Sequence, residues 1–191
     1  MDYLHSSLFI ILFLALFAAC GPTEQEQAQQ EQRQMELQQQ QTSGLPYNFR
    51  MEMDSVLIRY FDLKDALVES DSELSKEKAE ELSGFTGEVM DDVLEAENQG
   101  LWLGIARVIQ TESGNLIAED DIDEQRIYFE RISEAMIRMV EDFNPVGYTV
   151  YHQSCPMVRD GSADWLSREE EIRNPYHGDR MMNCGEIIQE L

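Results

Sequence analysis

The chain has 191 residues, with 38 Asp and Glu against 14 Lys and Arg, which gives a formal net charge of −24. This charge argues against nucleic-acid binding, which needs a basic patch, and against electrostatic docking on anionic lipid. The length allows one domain with appendages, and three cysteines are too few for a disulfide scaffold.

The beginning of the chain predicts an export signal that ends in a lipidated cysteine. Leu8 to Ala19 are apolar and uncharged, a stretch too short to span a bilayer, which takes about 20 residues. Two alanines then precede Cys20, a pattern that resembles the signal of bacterial lipoproteins. We expect residues 1–19 to be a signal peptide and Cys20 to carry lipid, so that the protein is held in the bacterial envelope, facing the periplasm or the cell exterior. The alternative is an ordinary secreted protein.

A Gln-rich segment follows the lipidated cysteine. Ten of the residues in 21–46 are Gln, and apolar side chains are nearly absent. Such a segment buries too little surface to offset its ordering entropy, so residues 20–50 are interpreted as a disordered tether. A transient helix is the alternative, because Gln and Glu are fair helix formers. The domain is then expected over 51–191.

From about residue 52 to residue 143, apolar residues recur every three or four positions, which indicates four amphipathic helices. The first has a wide stripe of Val56, Leu57, Tyr60, Phe61, Leu63, Leu67 and Val68. The second, about 73–94, is lined by Leu82, Phe85, Val89, Met90, Val93 and Leu94. The third, about 98–118, offers Leu101, Trp102, Ile105, Val108 and Ile109, with a possible break at Ser113-Gly114-Asn115. The fourth, about 122–143, follows a sequence that resembles a capping box and carries Ile122, Phe129, Ile132, Met136, Val140 and Phe143.

Four such helices with short connections predict a mainly α fold, an antiparallel four-helix bundle. An irregular C-terminal segment follows, with a short β-prone stretch at 148–151. Acidic runs such as Glu119-Asp120-Asp121 lack the ligand spacing of a calcium loop and are interpreted as solvated faces.

The C-terminal segment concentrates residues that bind soft metals. Cysteine and methionine sulfur selects Cu(I) or a similar ion. The candidate ligands are His152, Cys155, Met157, His177, Met181, Met182 and Cys184. The alternative is a Cys155–Cys184 disulfide, formed in an oxidising compartment, with the methionines and Trp165 packed against the bundle. In either case the two sulfur atoms should lie close together.

No catalytic residues are expected. Ser154 and Ser167 lack a nucleophile elbow, and the chain has no phosphate-binding glycine loop. We therefore expect a protein that is not an enzyme.

Several motifs resemble an uncharacterised periplasmic domain of unknown function, over about residues 54–190. They are Tyr60-Phe61-x-Leu63-Lys64-Asp65-Ala66-Leu67-Val68, Asp123-x-Gln125-Arg126, Cys155-Pro156-Met157, Trp165-Leu166-Ser167, Ile172-x-Asn174-Pro175-Tyr176 and Met181-Met182-x-Cys184-Gly185. That domain occurs alone in bacterial lipoproteins and appended to copper/silver efflux adaptors of the membrane-fusion type. The resemblance implies a helical domain in metal-handling surroundings and no demonstrated catalytic role.

Three functional hypotheses follow. The first is a lipid-anchored envelope accessory protein that binds or senses copper-like ions beside an efflux adaptor. The second is an envelope interaction module whose cysteines are structural and which binds no metal. The third is a hydrolase with an unrecognised site.

Overall fold

The protein is described by a computed structural model over residues 44–159 and 161–191. The expected signal peptide, Cys20 and most of the expected tether lie outside the described residues. Over the described residues, four helices are followed by a three-stranded antiparallel sheet, which confirms the mainly α fold. The elements are α1 (Tyr47–Val68), α2 (Ser72–Glu88), α3 (Ala96–Ile117), α4 (Ile122–Phe143), β1 (Tyr151–Val158), β2 (Gly161–Ser167), a 3-10 turn (Gly178–Arg180) and β3 (Glu186–Glu190).

The first and fourth helices match their apolar patterns closely. Every residue of the expected α1 stripe is buried. On α4, the buried residues of the expected stripe are Phe129, Ile132, Met136, Val140 and Phe143. The α1 helix begins at Tyr47, earlier than the expected start near residue 52, and it buries Phe49 completely. The helix therefore extends into the segment that the sequence assigned to the tether.

The second helix is shorter than expected. It ends at Glu88 because Val89 adopts an extended conformation and turns its side chain into the core. The backbone N–H of Met90 then donates to Glu52 Oε2 at 2.8 Å instead of continuing the helix. The expected extension to about residue 94 is wrong, and Met90 and Val93 are exposed.

The third helix runs without a break through Ser113, which is fully buried. Packing against the neighbouring helices outweighs the cost of about 1 kcal/mol for Gly114 in a helix interior. Two expected core residues are exposed, however: Leu101 at 39% and Val108 at 40%. The α3 helix therefore has a second, outward apolar edge.

Caps define the helix starts at Asp71 and Asp121. Asp71 accepts from the N–H of Leu74 at 3.0 Å, and Asp121 accepts from the N–H of Asp123 at 2.8 Å. Each bond satisfies one of the free N–H groups in a first helical turn. Of the capping box expected at the start of α4, the hydrogen bond accepted by the Asp121 side chain is present.

The C-terminal segment forms a sheet with strand order β2-β1-β3, and β2 packs against α4. Trp165 and Leu166 of β2 are fully buried, and they join the helical residues in one hydrophobic core. Tyr60 of α1 links the two parts: its hydroxyl lies 2.8 Å from Ser133 Oγ and accepts from the N–H of Leu166 at 3.1 Å. The segment is therefore more regular than expected: it forms three strands and contributes buried residues to the core.

Among the described residues, no helix combines the length and the apolar character needed to cross a membrane.

Candidate functional site

The two C-terminal cysteines meet at the edge of the sheet. Cys155 lies on β1 opposite Ala163 of β2 and is fully buried, whereas Cys184 lies in the turn before β3 and is half-buried. Their Sγ atoms are 2.7 Å apart. The expectation that the two sulfur atoms lie close together is confirmed.

The turn that carries Cys184 is organised by Asn174. This fully buried side chain donates from Nδ2 to the Cys184 carbonyl at 2.7 Å and accepts from the Tyr176 N–H at 2.8 Å. Its own N–H donates to the Met182 carbonyl at 2.9 Å. Asn174 therefore fixes the path of the chain on both sides of the cysteine.

A glycine allows this turn to approach the sheet. A Cβ atom on Gly185 would lie 2.9 Å from the Ser154 carbonyl oxygen and 2.9 Å from the Trp165 ring. Side chains do not tolerate contacts this short, so only glycine fits here. Gly185 thus allows the turn to place the Cys184 sulfur atom against β1.

Proximity to Cys155 makes the reduced Cys184 thiol a poor nucleophile. The hydrogen bond with the Cys155 sulfur, and next its burial, raise the pKa of Cys184 to about 11. The thiolate, which is the form that attacks disulfides and binds metals, is therefore scarce at neutral pH. The geometry suits two cysteines that react with each other more than a catalytic thiol.

The histidines of the expected ligand set have other partners. His152 is three residues from Cys155 on a strand whose pairing with β2 is regular over this stretch, so the two side chains point to opposite faces. The His152 Nε2 atom lies 3.0 Å from Asp164 Oδ2, at a groove of about 500 Å³ between the sheet and α4. His177 donates from Nε2 to the Met157 carbonyl at 3.0 Å.

The methionines do not form the expected packed group. Met157 is 60% exposed, which contradicts the expectation that it packs against the bundle. It follows Pro156 at an irregularity in the β1–β2 pairing, where the strand no longer alternates regularly. Met181 and Met182 are half-buried, and the Met181 carbonyl accepts from the Cys184 N–H at 3.0 Å.

These positions limit the metal sites that the segment can form. Within residues 44–159 and 161–191, no three His, Cys, Asp or Glu side chains converge on a point that could hold a metal ion. The histidines and cysteines of the expected ligand set therefore do not form a three-ligand site by themselves. The two cysteine sulfur atoms do lie together.

Sequence reasoning missed the polar residues that hold this segment to the bundle. Buried Arg126 of α4 donates to the carbonyl oxygens of Pro175 and Leu67 at 2.8 and 3.0 Å. Buried Lys64 lies 3.4 Å from Glu169, which follows β2. Charged residues inside an apolar stripe were the available signal, and both belong to the motifs quoted for the resemblance.

Residues 56–147 match a family model described as "Protein of unknown function (DUF3347)". This match supports an uncharacterised domain over the helical part of the chain. It ends before β1, so the cysteine pair and the other C-terminal motifs lie outside it. No curated protein and no solved structure matches the chain.

Proposed function

We propose that the protein is a lipid-anchored accessory module of the bacterial envelope, without catalysis of its own. In this proposal a Cys155–Cys184 disulfide locks the C-terminal turn to the sheet. The observation that carries the disulfide is the 2.7 Å separation of the two Sγ atoms. Two thiolates sharing one metal ion at ~2.3 Å each would stand about 4 Å apart, so the separation favours a direct bond. An oxidising envelope compartment would favour the same state.

The lipid anchor is supported by the apolar stretch Leu8 to Ala19 and by the small residues before Cys20. We expect the full chain, expressed in a bacterium with an intact lipoprotein pathway, to sediment with membranes. Cys20→Ser should release the protein or leave it unprocessed, because the lipid attachment atom is lost. Cell fractionation with mass measurement of the N-terminal peptide gives the answer.

Cys184→Ser is the matched control for this experiment. It removes a half-buried cysteine of the folded domain and should leave the protein in the membrane fraction. Wild-type protein that stays fully soluble would contradict the anchor.

A second candidate function is soft-metal binding by the reduced pair, with an efflux adaptor as partner. Two observations favour it. The cysteine sulfur atoms are adjacent. The Cys184 N–H donates a hydrogen bond to the Met181 carbonyl, so that the two residues lie in one turn. The adaptor is proposed from the sequence resemblance alone.

Titration of the reduced protein with Cu(I) separates the two candidates. Absence of saturable one-to-one binding to the reduced protein would leave the disulfide as the remaining candidate. Saturable binding that is lost in Cys155→Ser and weakened in Met157→Leu would instead support the metal site. Met90→Leu is the matched control, because Met90 is also exposed, at 52%, and lies far along the chain from the cysteines.

A further inference from the structure

The last strand, β3, contributes little to the core. All five of its residues are exposed, whereas β2 buries Trp165 and Leu166 and packs against α4. β3 pairs with β1, and this pairing has an irregularity between His152 and Gln153. Fixing a residue in a strand costs backbone entropy that one solvent-exposed hydrogen bond offsets only in part. The attachment of β3 therefore depends on what holds its two ends.

The two ends of β3 are held in different ways. At the far end, the Leu191 N–H donates to the Val150 carbonyl at 2.8 Å, and the Val150 N–H donates to the Leu191 carbonyl at 3.0 Å. At the near end, Cys184 lies two residues before the strand, and its sulfur atom lies against that of Cys155 on β1. The cysteine pair is thus the side-chain link that joins the start of β3 to β1.

The fit at this link leaves little room for movement. Gly185 packs so closely against Ser154 and Trp165 that a Cβ atom would not fit between them. Cys155 is fully buried in the core, whereas Cys184 is half-buried. Two unbonded sulfur atoms must stand further apart than the ~2 Å of a disulfide. Reduction of a bonded pair therefore pushes the Cys184 side outward and loosens the contact of Gly185 with the sheet.

Given the disulfide of the proposed function, on which this inference rests, we propose that residues 185–191 form a redox-sensitive strap. With the Cys155–Cys184 bond intact, the strap stays on β1. When the bond is reduced, the strap leaves β1, while the four helices and the β1–β2 pairing stay folded. The hinge lies after Cys184, because Asn174 still holds the Cys184 carbonyl at 2.7 Å. Opening uncovers the edge of β1 and the part of the Trp165 ring that Gly185 covers.

The reductant in this proposal is a dithiol. One of its sulfur atoms, as a thiolate, attacks the Cys184 sulfur, which is the more accessible of the two. The S–S bond breaks, and the Cys155 sulfur leaves with the bonding electrons and takes up a proton. The second sulfur of the reductant then displaces Cys184, which is protonated in turn. Two electrons and two protons thus pass from the dithiol to the protein, and the dithiol becomes a disulfide.

Hydrogen exchange of the full chain in detergent, read by mass spectrometry of its peptides, tests the strap. The oxidised protein is compared with protein reduced by dithiothreitol. We expect the amides of residues 186–191 to exchange at least about tenfold faster after reduction, because local opening sets their exchange rate. At the same short exchange times, peptides from α1 and α4 should stay protected in both states, since their amides exchange only when the domain unfolds.

Two variants in the same turn serve as controls. Cys184→Ser cannot form the bond, so its strap should exchange as fast as in the reduced protein, with or without dithiothreitol. Asn183→Ser changes the exposed neighbouring residue and keeps both cysteines, so it should retain the dependence on dithiothreitol.

The masses of unreduced peptides test the disulfide itself, separately from the strap. If protein from an oxidising compartment contains no Cys155–Cys184 bond, the disulfide of the proposed function fails and the strap fails with it. If the bond is present but dithiothreitol leaves the exchange of residues 186–191 unchanged, the strap is overturned and the disulfide stands. Loss of protection in α1 together with β3 would overturn the strap in the same way, because the domain would then open as one unit.

Discussion

Arg126→Ala is expected to destabilise the domain by about 2–4 kcal/mol, because it removes the donor of a buried carbonyl oxygen and leaves a cavity. The guanidinium is almost fully buried on α4 and makes four hydrogen bonds. Besides the Pro175 and Leu67 carbonyls, it donates to Ser70 Oγ at 2.9 Å and to Asp123 Oδ1 at 2.8 Å. Chemical denaturation in urea would measure the loss.

The size of the effect follows from what the substitution leaves behind. The Leu67 carbonyl at the end of α1 keeps a second donor, the Ser70 N–H at 3.1 Å. The Pro175 carbonyl belongs to the C-terminal turn, and Arg126→Ala removes its donor on α4. An unsatisfied buried polar group costs about 1–3 kcal/mol, and the cavity adds to this. One side chain thus joins α1, α4 and the turn near the cysteine pair.

Arg131→Ala on the same helix is the control. Its guanidinium is 53% exposed and lies 3.2 Å from Glu112, an ion pair of the kind worth about 0–1 kcal/mol. A loss for Arg126→Ala no larger than that for Arg131→Ala would show that the buried network contributes little to folding.

The helices that could be predicted from the sequence are those whose apolar period is set locally. In α1 and α4 the stripes continue over several turns, and the residues they contain are buried. The end of α2 could not be predicted, because the Met90 N–H is satisfied by Glu52, 38 positions away in the chain. The exposure of Leu101 and Val108 was not predicted for a related reason. The spacing of apolar residues shows which side of a helix is apolar, but it does not show how much of that side the neighbouring helices cover.

The C-terminal sheet was only partly predictable. The β-prone stretch at 148–151 marks the approach to β1, but all five residues of β3 are exposed and show no alternation. Its pairing with β1 depends on a turn set by Asn174 and on Gly185, which lies against Ser154 and Trp165 of the two preceding strands. The proximity of the two cysteines was predicted from their number and from the expectation of an exported protein. The opposite orientation of His152 was not, because it requires the strand and its register.

Reduction of the wild-type protein is expected to lower its stability by about 3–4 kcal/mol if the cysteines are bridged. The cysteines are separated by 29 positions, and closing a loop of that length in the unfolded chain removes this much conformational entropy. For a domain of this size the melting temperature would fall by roughly 6–16 °C. Urea unfolding with and without a phosphine reductant measures the change, and mass spectrometry of unreduced peptides confirms the bond.

Single variants separate the bridge from the packing of its two ends. Cys184→Ala removes a half-buried sulfur, so its loss should equal that of reduction and should not increase when reductant is added. Cys155→Ala also empties a fully buried site in the core and should cost about 1 kcal/mol more, by the loss of its packing contacts. If reductant leaves wild-type stability unchanged while Cys155→Ala still destabilises the domain, Cys155 acts as a core residue and no disulfide forms.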